Sequence, residues 1–214
     1  MPLTLYLHPL SSYCHKALIA LYENDIQFTP HKVDLGNEES SAAFKQVWPM
    51  GKFPVLRDEA AGRTIPESTC IIDYLDRDFP GPVKFIPETA ALDVRALDRF
   101  YELHVHTHMQ KIIGDRIRPA DKKDPYGVEQ AQAAMNTALG LAEKDMASRP
   151  WAAGDDFTLA DCAAAPALFY VDMAIAPLAG SYPNLAAYLG RLKERPSYAR
   201  ALAEAEPYMH WVPR

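Results

Sequence analysis

A turn near the N-terminus carries hydroxyl groups at the point where a strand pattern gives way to a helix pattern. Its residues are His8-Pro9-Leu10-Ser11-Ser12-Tyr13-Cys14-His15. A hydroxyl at the start of a helix lies beside unsatisfied backbone amides and the positive end of the helix dipole, and this environment favours an anion. A serine there predicts either a helix cap or a hydrogen-bond donor to a bound thiolate or oxyanion. From this segment alone, the cap is the simpler interpretation.

Two further segments carry groups suited to a peptide-like ligand. Lys52-Phe53-Pro54-Val55 places a proline at the start of a strand. A cis bond before Pro54 would expose the neighbouring backbone amide and carbonyl to a ligand, although trans is the commoner state of an X–Pro bond. Glu67-Ser68 precedes a helical pattern, so the first amides of that helix suit a carboxylate and Glu67 suits an amino group. Taken separately, each is an ordinary turn or solvated helix end.

Short strands and helices must position these three segments. Leu3, Leu5 and Leu7 alternate with less apolar residues, which predicts a strand over residues 3–8. Further strands are predicted at 27–34, 55–57 and 63–65, and helices at 16–22, 41–47 and 68–78. This order predicts a small mixed sheet flanked by helices.

Beyond a segment rich in proline and glycine, every pattern is helical. Helices are predicted at 91–117, 128–147, 158–171, 184–194 and 198–205. The capping box Thr158-Leu159-Ala160-Asp161 marks the start of a central helix and is interpreted as a folding signal, not as chemistry. The predicted domains are an α/β domain at 1–79, a linker at 80–87 and an all-helical domain at 88–214.

Composition excludes several classes of protein. The chain has 214 residues, of which 49% are hydrophobic and 23% charged, so intrinsic disorder is excluded. The net charge is −6 and no basic stripe is visible, so a nucleic-acid partner is not expected. The longest apolar stretch, at 162–171, is too short to cross a bilayer, so a membrane partner is not expected either.

The cysteines indicate in which cellular compartment the protein is expected and whether it is expected to bind a metal. Cys14, Cys70 and Cys162 lie far apart with no CxxC pair, so neither a disulfide framework nor a zinc knuckle is expected. Free cysteines, together with an N-terminus that does not resemble a secretory signal, predict a cytoplasmic protein.

Four motifs, in this order and spacing, resemble those of the cytosolic glutathione transferases. They are HPLSSYCHKALIAL, PMGKFPVL, PESTCIIDYL and FTLAD, and the resemblance spans essentially the whole chain. It implies a thioredoxin-like N-terminal domain followed by a helical C-terminal domain. The HPLSS turn is similar to those of the bacterial and plant serine-type classes, phi, zeta and theta-like, although Tyr13-Cys14 is typical of neither phi nor zeta.

The resemblance also implies how glutathione, as co-substrate, would be held. Pro54 would be cis, and the backbone of Phe53 would pair with the cysteinyl part of the tripeptide. Lys52 would help to bind the tripeptide. Glu67 and Ser68 would hold the γ-glutamyl amine and carboxylate.

Ser11 matches the activating hydroxyl of the serine-type classes, with Ser12 and Tyr13 as alternative donors. A thiol titrates at roughly 8.5, so lowering its pKa by about two units, or some 2.7 kcal/mol, makes the thiolate dominant at neutral pH. Cys14 stands where the second cysteine of a CPYC motif would stand. Because position 11 is a serine, Cys14 is expected to be a buried, inert thiol.

Three histidines in the helical half raise the question of a metal site. Only His104 and His108 share a helix face, and no carboxylate signature accompanies them, so no metal is expected. In the family the helix after the linker lines the electrophile pocket. The resemblance therefore makes Tyr101, His104 and His108 candidate pocket residues, together with Tyr13.

As a whole, the resemblance implies a glutathione transferase whose thiolate attacks a small hydrophobic electrophile, with a detoxifying role and a homodimeric assembly. Three alternatives stay open. The chain could be a non-catalytic binding or assembly protein of the same fold, a glutathione-dependent disulfide or peroxide reductase using Cys14, or a zeta-like isomerase.

Overall fold

A computed structural model of the chain describes residues 3–213, which form two compact units. The first unit comprises the residues up to Phe85 together with Pro196–Pro207, and the second comprises Ile86–Arg195 with the residues from Tyr208 onward. The segment Pro196–Pro207 thus joins the first unit, although it lies within the predicted helical domain at 88–214. The predicted boundaries around the linker stay predictions.

The first unit is built on a four-stranded mixed sheet with the strand order β2-β1-β3-β4. The strands are β1 (Leu3–Leu7), β2 (Thr29–Lys32), β3 (Val55–Asp58) and β4 (Arg63–Pro66). β1 pairs in parallel with β2 and antiparallel with β3, which pairs antiparallel with β4. The helices of this part of the chain are α1 (Ser12–Glu23), α2 (Glu38–Val47) and α3 (Ser68–Asp78). This is the predicted thioredoxin-like sheet.

Burial confirms the strand pattern at the N-terminus. Leu3, Leu5 and Leu7 are buried, and the residues between them are half-buried. β2 is shorter than the predicted stretch 27–34 and is exposed along its length. It contains Pro30, which cannot donate to a strand ladder and therefore suits an edge position such as this one.

Polar caps make two helices of the first unit begin earlier than their apolar spacing predicts. The Ser11 hydroxyl accepts a hydrogen bond from the Cys14 amide at 3.3 Å, so α1 starts ahead of the predicted residue 16. The Asn37 side chain accepts from the Ser40 amide at 2.9 Å, so α2 starts ahead of the predicted residue 41. Capping side chains satisfy amides that the apolar pattern does not register.

The second unit is built from helices. They are α4 (Ala91–Phe100), α5 (Thr107–Arg116), α6 (Pro125–Asp145), α7 (Leu159–Ala174) and α8 (Pro183–Glu194). The predicted helix at 91–117 is divided into α4 and α5 by a π-helical turn, Tyr101–His106. Within residues 3–213, no helix is both long and apolar enough to cross a membrane.

The last α-helix, α9 (Pro196–Ala205), packs against α1 within the first unit. The Tyr22 hydroxyl donates to both carboxylate oxygens of Glu204, at 2.9 and 2.8 Å. The ring of His15 meets the ring of Tyr198 edge-on, with centroids 6.0 Å apart. These contacts join the C-terminal helix to the first unit.

A buried carboxylate organises the start of α7. The predicted capping box is present, and Asp161 Oδ2 accepts from the Thr158 amide at 2.8 Å and its hydroxyl at 3.0 Å. Asp161 Oδ1 accepts from the Ala152 amide at 2.8 Å and the Tyr188 hydroxyl at 2.5 Å. Burial raises the pKa of Asp161, whereas these four hydrogen bonds act in the opposite direction. A fully buried carboxyl is tolerated only with such a set of donors.

We expect Asp161→Ala to lower the free energy of unfolding by about 3–5 kcal/mol, because four buried donors lose their common acceptor. Tyr188→Phe removes one donor and keeps the ring, so it should lower that free energy by only about 1 kcal/mol. Urea unfolding followed by circular dichroism measures both. A smaller loss for Asp161→Ala than for Tyr188→Phe would contradict the central role of this carboxyl group.

Candidate functional site

Three segments that are distant in sequence meet at one end of the sheet. The register pairs Tyr6 of β1 with Val55 of β3, and Val55 with Pro66 of β4. The chain therefore leaves β1, begins β3 and leaves β4 at the same end. The segments that meet there are the turn to Ser11, the dipeptide Phe53–Pro54 and the start of α3.

Hydrogen bonds hold the turn between β1 and α1 on both sides. The Ser11 amide donates to the His8 carbonyl at 2.9 Å, and the Leu10 amide donates to His8 Nδ1 at 3.2 Å. His15 Nε2 lies 2.6 Å from the carbonyl oxygen of Pro9, which assigns the proton to Nε2. These contacts hold Ser11 at the N-cap of α1.

Exposure separates the two neighbouring serines. Ser11 is half-buried and its hydroxyl oxygen accepts from the Cys14 amide, so its hydrogen can be donated to a ligand. Ser12, the first residue of α1, is only 3% exposed. Tyr13 follows in the same turn and is half-buried. All three candidate thiol donors thus lie together, and Ser11 is the more accessible of the two serines.

The segment before β3 has a cis bond between Phe53 and Pro54, as the resemblance implies and against the statistical preference. The Phe53 ring lies against those of His8 and Phe44, with centroids 6.3 Å apart in each case. Lys52 is exposed. The ring of Phe53 is therefore anchored at the site while the preceding lysine faces solvent.

The start of α3 has an unusual backbone. Glu67 has φ 68° and ψ 123°, a sparsely populated conformation that costs about 1–3 kcal/mol in a residue other than glycine. Its exposed side chain forms no capping hydrogen bond with the helix, and Ser68 is 3% exposed. The first amides of α3 and the positive end of its dipole suit an anion, and the Glu67 carboxylate suits a cation.

Two buried polar side chains of α1 were not among the predicted site residues. His15, described above, is 0% exposed, and Lys16 is 2% exposed. The Lys16 ammonium donates to Thr69 Oγ1 in the first turn of α3, at 2.6 Å. The sequence feature that points to their burial is the apolar run from Ala17 to Leu21. A helix that is buried on all sides must provide a hydrogen-bonding partner for each of its polar side chains.

Cys14 is sequestered beneath the same turn. It is 0% exposed, and burial raises the pKa of its thiol to about 12, against the opposing hydrogen bond with Ser11. The thiolate is the reactive form of cysteine, so a thiol with so high a pKa is a poor nucleophile at neutral pH. This disfavours the alternative of a reductase that uses Cys14.

The predicted pocket residues of the helical half lie around the π-helical turn. Tyr101 is 2% exposed, and burial followed by the charge of Asp161 raises its pKa. His104 is exposed, whereas desolvation and then the neighbouring His104 lower the pKa of the half-buried His108. Among residues 3–213, no group of three or more His, Cys, Asp or Glu side chains is placed to hold a metal ion. The pocket roles stay predictions.

Comparison with protein families identifies both halves of the chain. Residues 5–83 match the family described as glutathione S-transferase, N-terminal domain, and residues 125–191 match glutathione S-transferase, C-terminal domain. The chain belongs to the glutathione S-transferase family. Its four-stranded sheet and helical second unit are the architecture of that family.

Individual relatives match almost the whole length of the chain. It is 29% identical over 208 residues to glutathione S-transferase theta-1 of Rattus norvegicus, covering 90% of this chain and 83% of that relative. It is 26% identical over 214 residues to a stringent starvation protein A homolog of Coxiella burnetii, covering 98% and 96%. A crystal structure of a glutathione S-transferase from Methylobacillus flagellatus with GSH bound matches with a TM-score of 0.85 at 26% identity, covering 93% of this chain and 98% of that one. The transferase relatives support glutathione transferase activity in general.

The pKa of His15 makes the stability of this protein depend on pH. Burial lowers that pKa from 6.5 to about 4, against the opposing hydrogen bond to Pro9. Below pH 6.5 the unfolded chain takes up a proton that the folded protein excludes. The contribution to stability is therefore complete above pH 6.5 and is lost, by roughly 3 kcal/mol, as the pH falls towards 4.

At pH 7 the wild type should have a larger free energy of unfolding than His15→Gln. We expect this difference to fall by roughly 3 kcal/mol between pH 7 and pH 4. Glutamine retains a donor for the Pro9 carbonyl but does not titrate. Urea unfolding at a series of pH values measures the difference. A difference that is the same at every pH would contradict the buried neutral imidazole.

The burial of the thiols predicts their reactivity. Cys70 is exposed, whereas Cys14 and Cys162 are buried. Iodoacetamide should therefore modify one thiol per chain in the native protein and all three in urea, as read by mass spectrometry. Cys70→Ser is the control and should leave the native protein unmodified. Rapid modification of Cys14 in the native protein would contradict its sequestration and favour the reductase alternative.

Proposed function

We propose that this transferase activates the thiol of glutathione for attack on a small hydrophobic electrophile. The observation that carries the proposal is the meeting of three groups at one end of the sheet. They are the half-buried hydroxyl of Ser11, the backbone beside the cis bond of Phe53–Pro54, and the N-terminus of α3 with the exposed carboxylate of Glu67.

In this proposal the γ-glutamyl end of the tripeptide meets groups of suitable charge. The γ-glutamyl amine pairs with the Glu67 carboxylate, and the γ-glutamyl carboxylate binds at Ser68 and the first amides of α3. The amide and carbonyl of Phe53 pair with the cysteinyl residue in the manner of a β-strand. The exposed Lys52 adds a cation beside the tripeptide.

The proposed chemistry is deprotonation followed by nucleophilic attack. The Ser11 hydroxyl donates a hydrogen bond to the sulfur, and the positive end of α1 favours its negative charge. The thiol proton passes to solvent, and the thiolate sulfur forms a new bond to carbon. In a substitution the leaving group departs with its bonding electron pair, and in an addition the π pair moves onto the electrophile's acceptor atom. Ser12 and Tyr13 are the alternative donors in the same turn.

The remaining parts of the proposal concern the second substrate and the setting. Tyr13, Tyr101, His104 and His108 are the proposed pocket residues for the electrophile. The proposed setting is a cytoplasmic homodimer with a detoxifying role. A zeta-like isomerase would use the same thiolate and would differ in its electrophile.

We expect Ser11→Ala to raise the pKa of the thiol of bound glutathione by about two units and to lower kcat/KM at pH 7 by about 30- to 100-fold. The loss should shrink as the pH rises, because alkali then supplies the thiolate that the variant no longer stabilises. Ultraviolet thiolate absorbance of bound glutathione, titrated in pH, measures the first effect. Turnover of a model aryl halide measures the second.

Parallel variants distinguish the three donors. If the lowered thiol pKa of bound glutathione is retained in Ser11→Ala but lost in Ser12→Ala or Tyr13→Phe, the residue whose change abolishes it is the hydrogen-bond donor to the sulfur. If the wild type binds glutathione without lowering its thiol pKa, the protein does not activate the thiol. Failure of the wild type to bind millimolar glutathione would overturn the proposal and favour a non-catalytic binding or assembly protein of this fold.

A further inference from the structure

A cavity of about 450 Å³ lies within the second unit, between the loop that follows α6 and one side of α8. It is lined by residues 146–150 and by Asn184, Ala187 and Arg191. Its volume falls in the range of about 300–1,000 Å³ that is usual for small-molecule sites. None of these residues takes part in the proposed function, so the cavity offers a separate place for a ligand.

Two half-buried arginines of the lining are anchored to the same loop. Arg149 Nη1 donates to the Ala152 carbonyl at 3.3 Å, and Arg191 Nε donates to the Pro150 carbonyl at 3.2 Å. Each of these bonds uses one of the five N–H donors of a guanidinium, so each group keeps further donors that can face a ligand.

The loop that anchors the arginines is itself held in place. The amides of Trp151 and Gly154 donate to each other's carbonyls, at 3.0 and 3.1 Å. The Ala152 amide donates to the buried carboxyl group of Asp161 at 2.8 Å. The two guanidinium groups are therefore positioned before a ligand arrives, which lowers the entropic cost of binding it.

The arginines bring more positive charge to the cavity than their neighbours neutralise. In the part of the chain that the structure describes, they are the only charged residues of its lining. Asp145 Oδ1 lies 3.9 Å from Arg149 Nη2, which is too long for a hydrogen bond, and both side chains are partly exposed. An ion pair of this kind contributes little, so an anion can compete with Asp145 for Arg149.

A second carboxylate near the cavity is engaged by a helix end. Glu143 accepts hydrogen bonds from the amides of Asn184 and Leu185, at 3.0 and 2.9 Å, so the positive end of α8 offsets its charge. The C-terminal end of α6 adds a partial negative charge. Two guanidinium groups against Asp145 and this helix end leave a small positive excess, which suits a ligand with a single negative charge better than one with two.

The rest of the lining defines the body of that ligand. Met146 and Ala187, with the ring of Pro150, give the cavity apolar surface, whereas Ser148 and Asn184 give it polar groups. A planar carboxylate matches the donor geometry of a guanidinium. A compact apolar body attached to that carboxylate would remove the apolar surface from water.

We propose that this cavity binds a small organic monocarboxylate with an apolar body, and that Arg149 and Arg191 hold its carboxylate. The inference does not rest on the proposed function, because no residue of the first unit enters it.

Benzoate tests the site, with benzamide as its uncharged analogue and phenyl phosphate as an analogue with a second negative charge. We expect benzoate to bind the wild-type protein with a Kd of about 1 mM, and benzamide to bind at least about tenfold more weakly. Backbone amide chemical shifts of the ¹⁵N-labelled protein measure both and should change at residues 146–150 and 184–191. This comparison uses only the wild type, so it holds whether or not a variant folds.

Variants test the assignment of the carboxylate to the two arginines. We expect Arg149→Met and Arg191→Met each to raise the Kd for benzoate about tenfold, because each removes charge-assisted hydrogen-bond donors. Arg118→Met is the matched control. Arg118 also donates to a carbonyl, that of Lys122, and lies 3.8 Å from a carboxylate, that of Asp115, but it is not part of the cavity. Arg118→Met should bind benzoate as the wild type does.

Several results would overturn the inference. They are absence of benzoate binding at about ten times the expected Kd, equal binding of benzoate and benzamide, and chemical shift changes confined to residues outside the cavity. An unchanged Kd in either arginine variant would overturn the role of that arginine. Tighter binding of phenyl phosphate than of benzoate would contradict the assignment of a ligand with a single negative charge.

Discussion

The site of the first unit depends on the pairing register of β1, β3 and β4. Because side chains alternate from one face of a strand to the other, a shift by one residue would turn Leu3, Leu5 and Leu7 out of the core. Their burial therefore excludes a shift by one residue. The observed pairing of β1 with β3 and of β3 with β4 brings Ser11, the Phe53–Pro54 bond and Glu67 to one end of the sheet.

The N-termini of α1 and α3 are capped less completely than the N-terminus of α7 in the second unit. At α7, the Asp161 carboxyl accepts four hydrogen bonds and is 0% exposed, so the cap is complete and leaves no opening for a ligand. At α1, the Ser11 hydroxyl accepts one long hydrogen bond of 3.3 Å, and at α3 the Glu67 side chain does not cap the helix at all. A complete cap stabilises the fold, whereas a less complete one lets the positive end of the helix dipole act on a ligand.

The same region carries features that are unfavourable for stability by themselves. Lys16 and His15 are polar side chains in the interior, and Glu67 has a positive φ. Each is held by surrounding structure: Thr69 accepts from Lys16, the Pro9 carbonyl accepts from His15, and the chain on either side of Glu67 is fixed by β4 and α3. Departures of this kind concentrate at functional sites, where binding or catalysis requires them. Their clustering around the N-termini of α1 and α3 agrees with the proposed position of glutathione.

Local patterns along the chain are enough to predict most of the elements and the family of this protein. Alternating leucines identified β1, the capping box identified the start of α7, and the order of four motifs identified a glutathione transferase fold, because each of these signals is local or is a spacing along the chain. Apolar spacing predicts the starts of α1 and α2 too late, because the capping residues Ser11 and Asn37 lie outside the apolar pattern.

The packing of distant segments settles what these local patterns leave open. Apolar spacing could not show that α9 packs with α1, because that contact joins opposite ends of the chain. Neither could it show that Ser12 is buried while Ser11 is half-exposed, or that Lys16 reaches Thr69, since burial and pairing depend on which surfaces of α1 its neighbours cover. A sequence specifies side chains and local turns, but the surroundings that set their charge and accessibility exist only once distant segments have packed together.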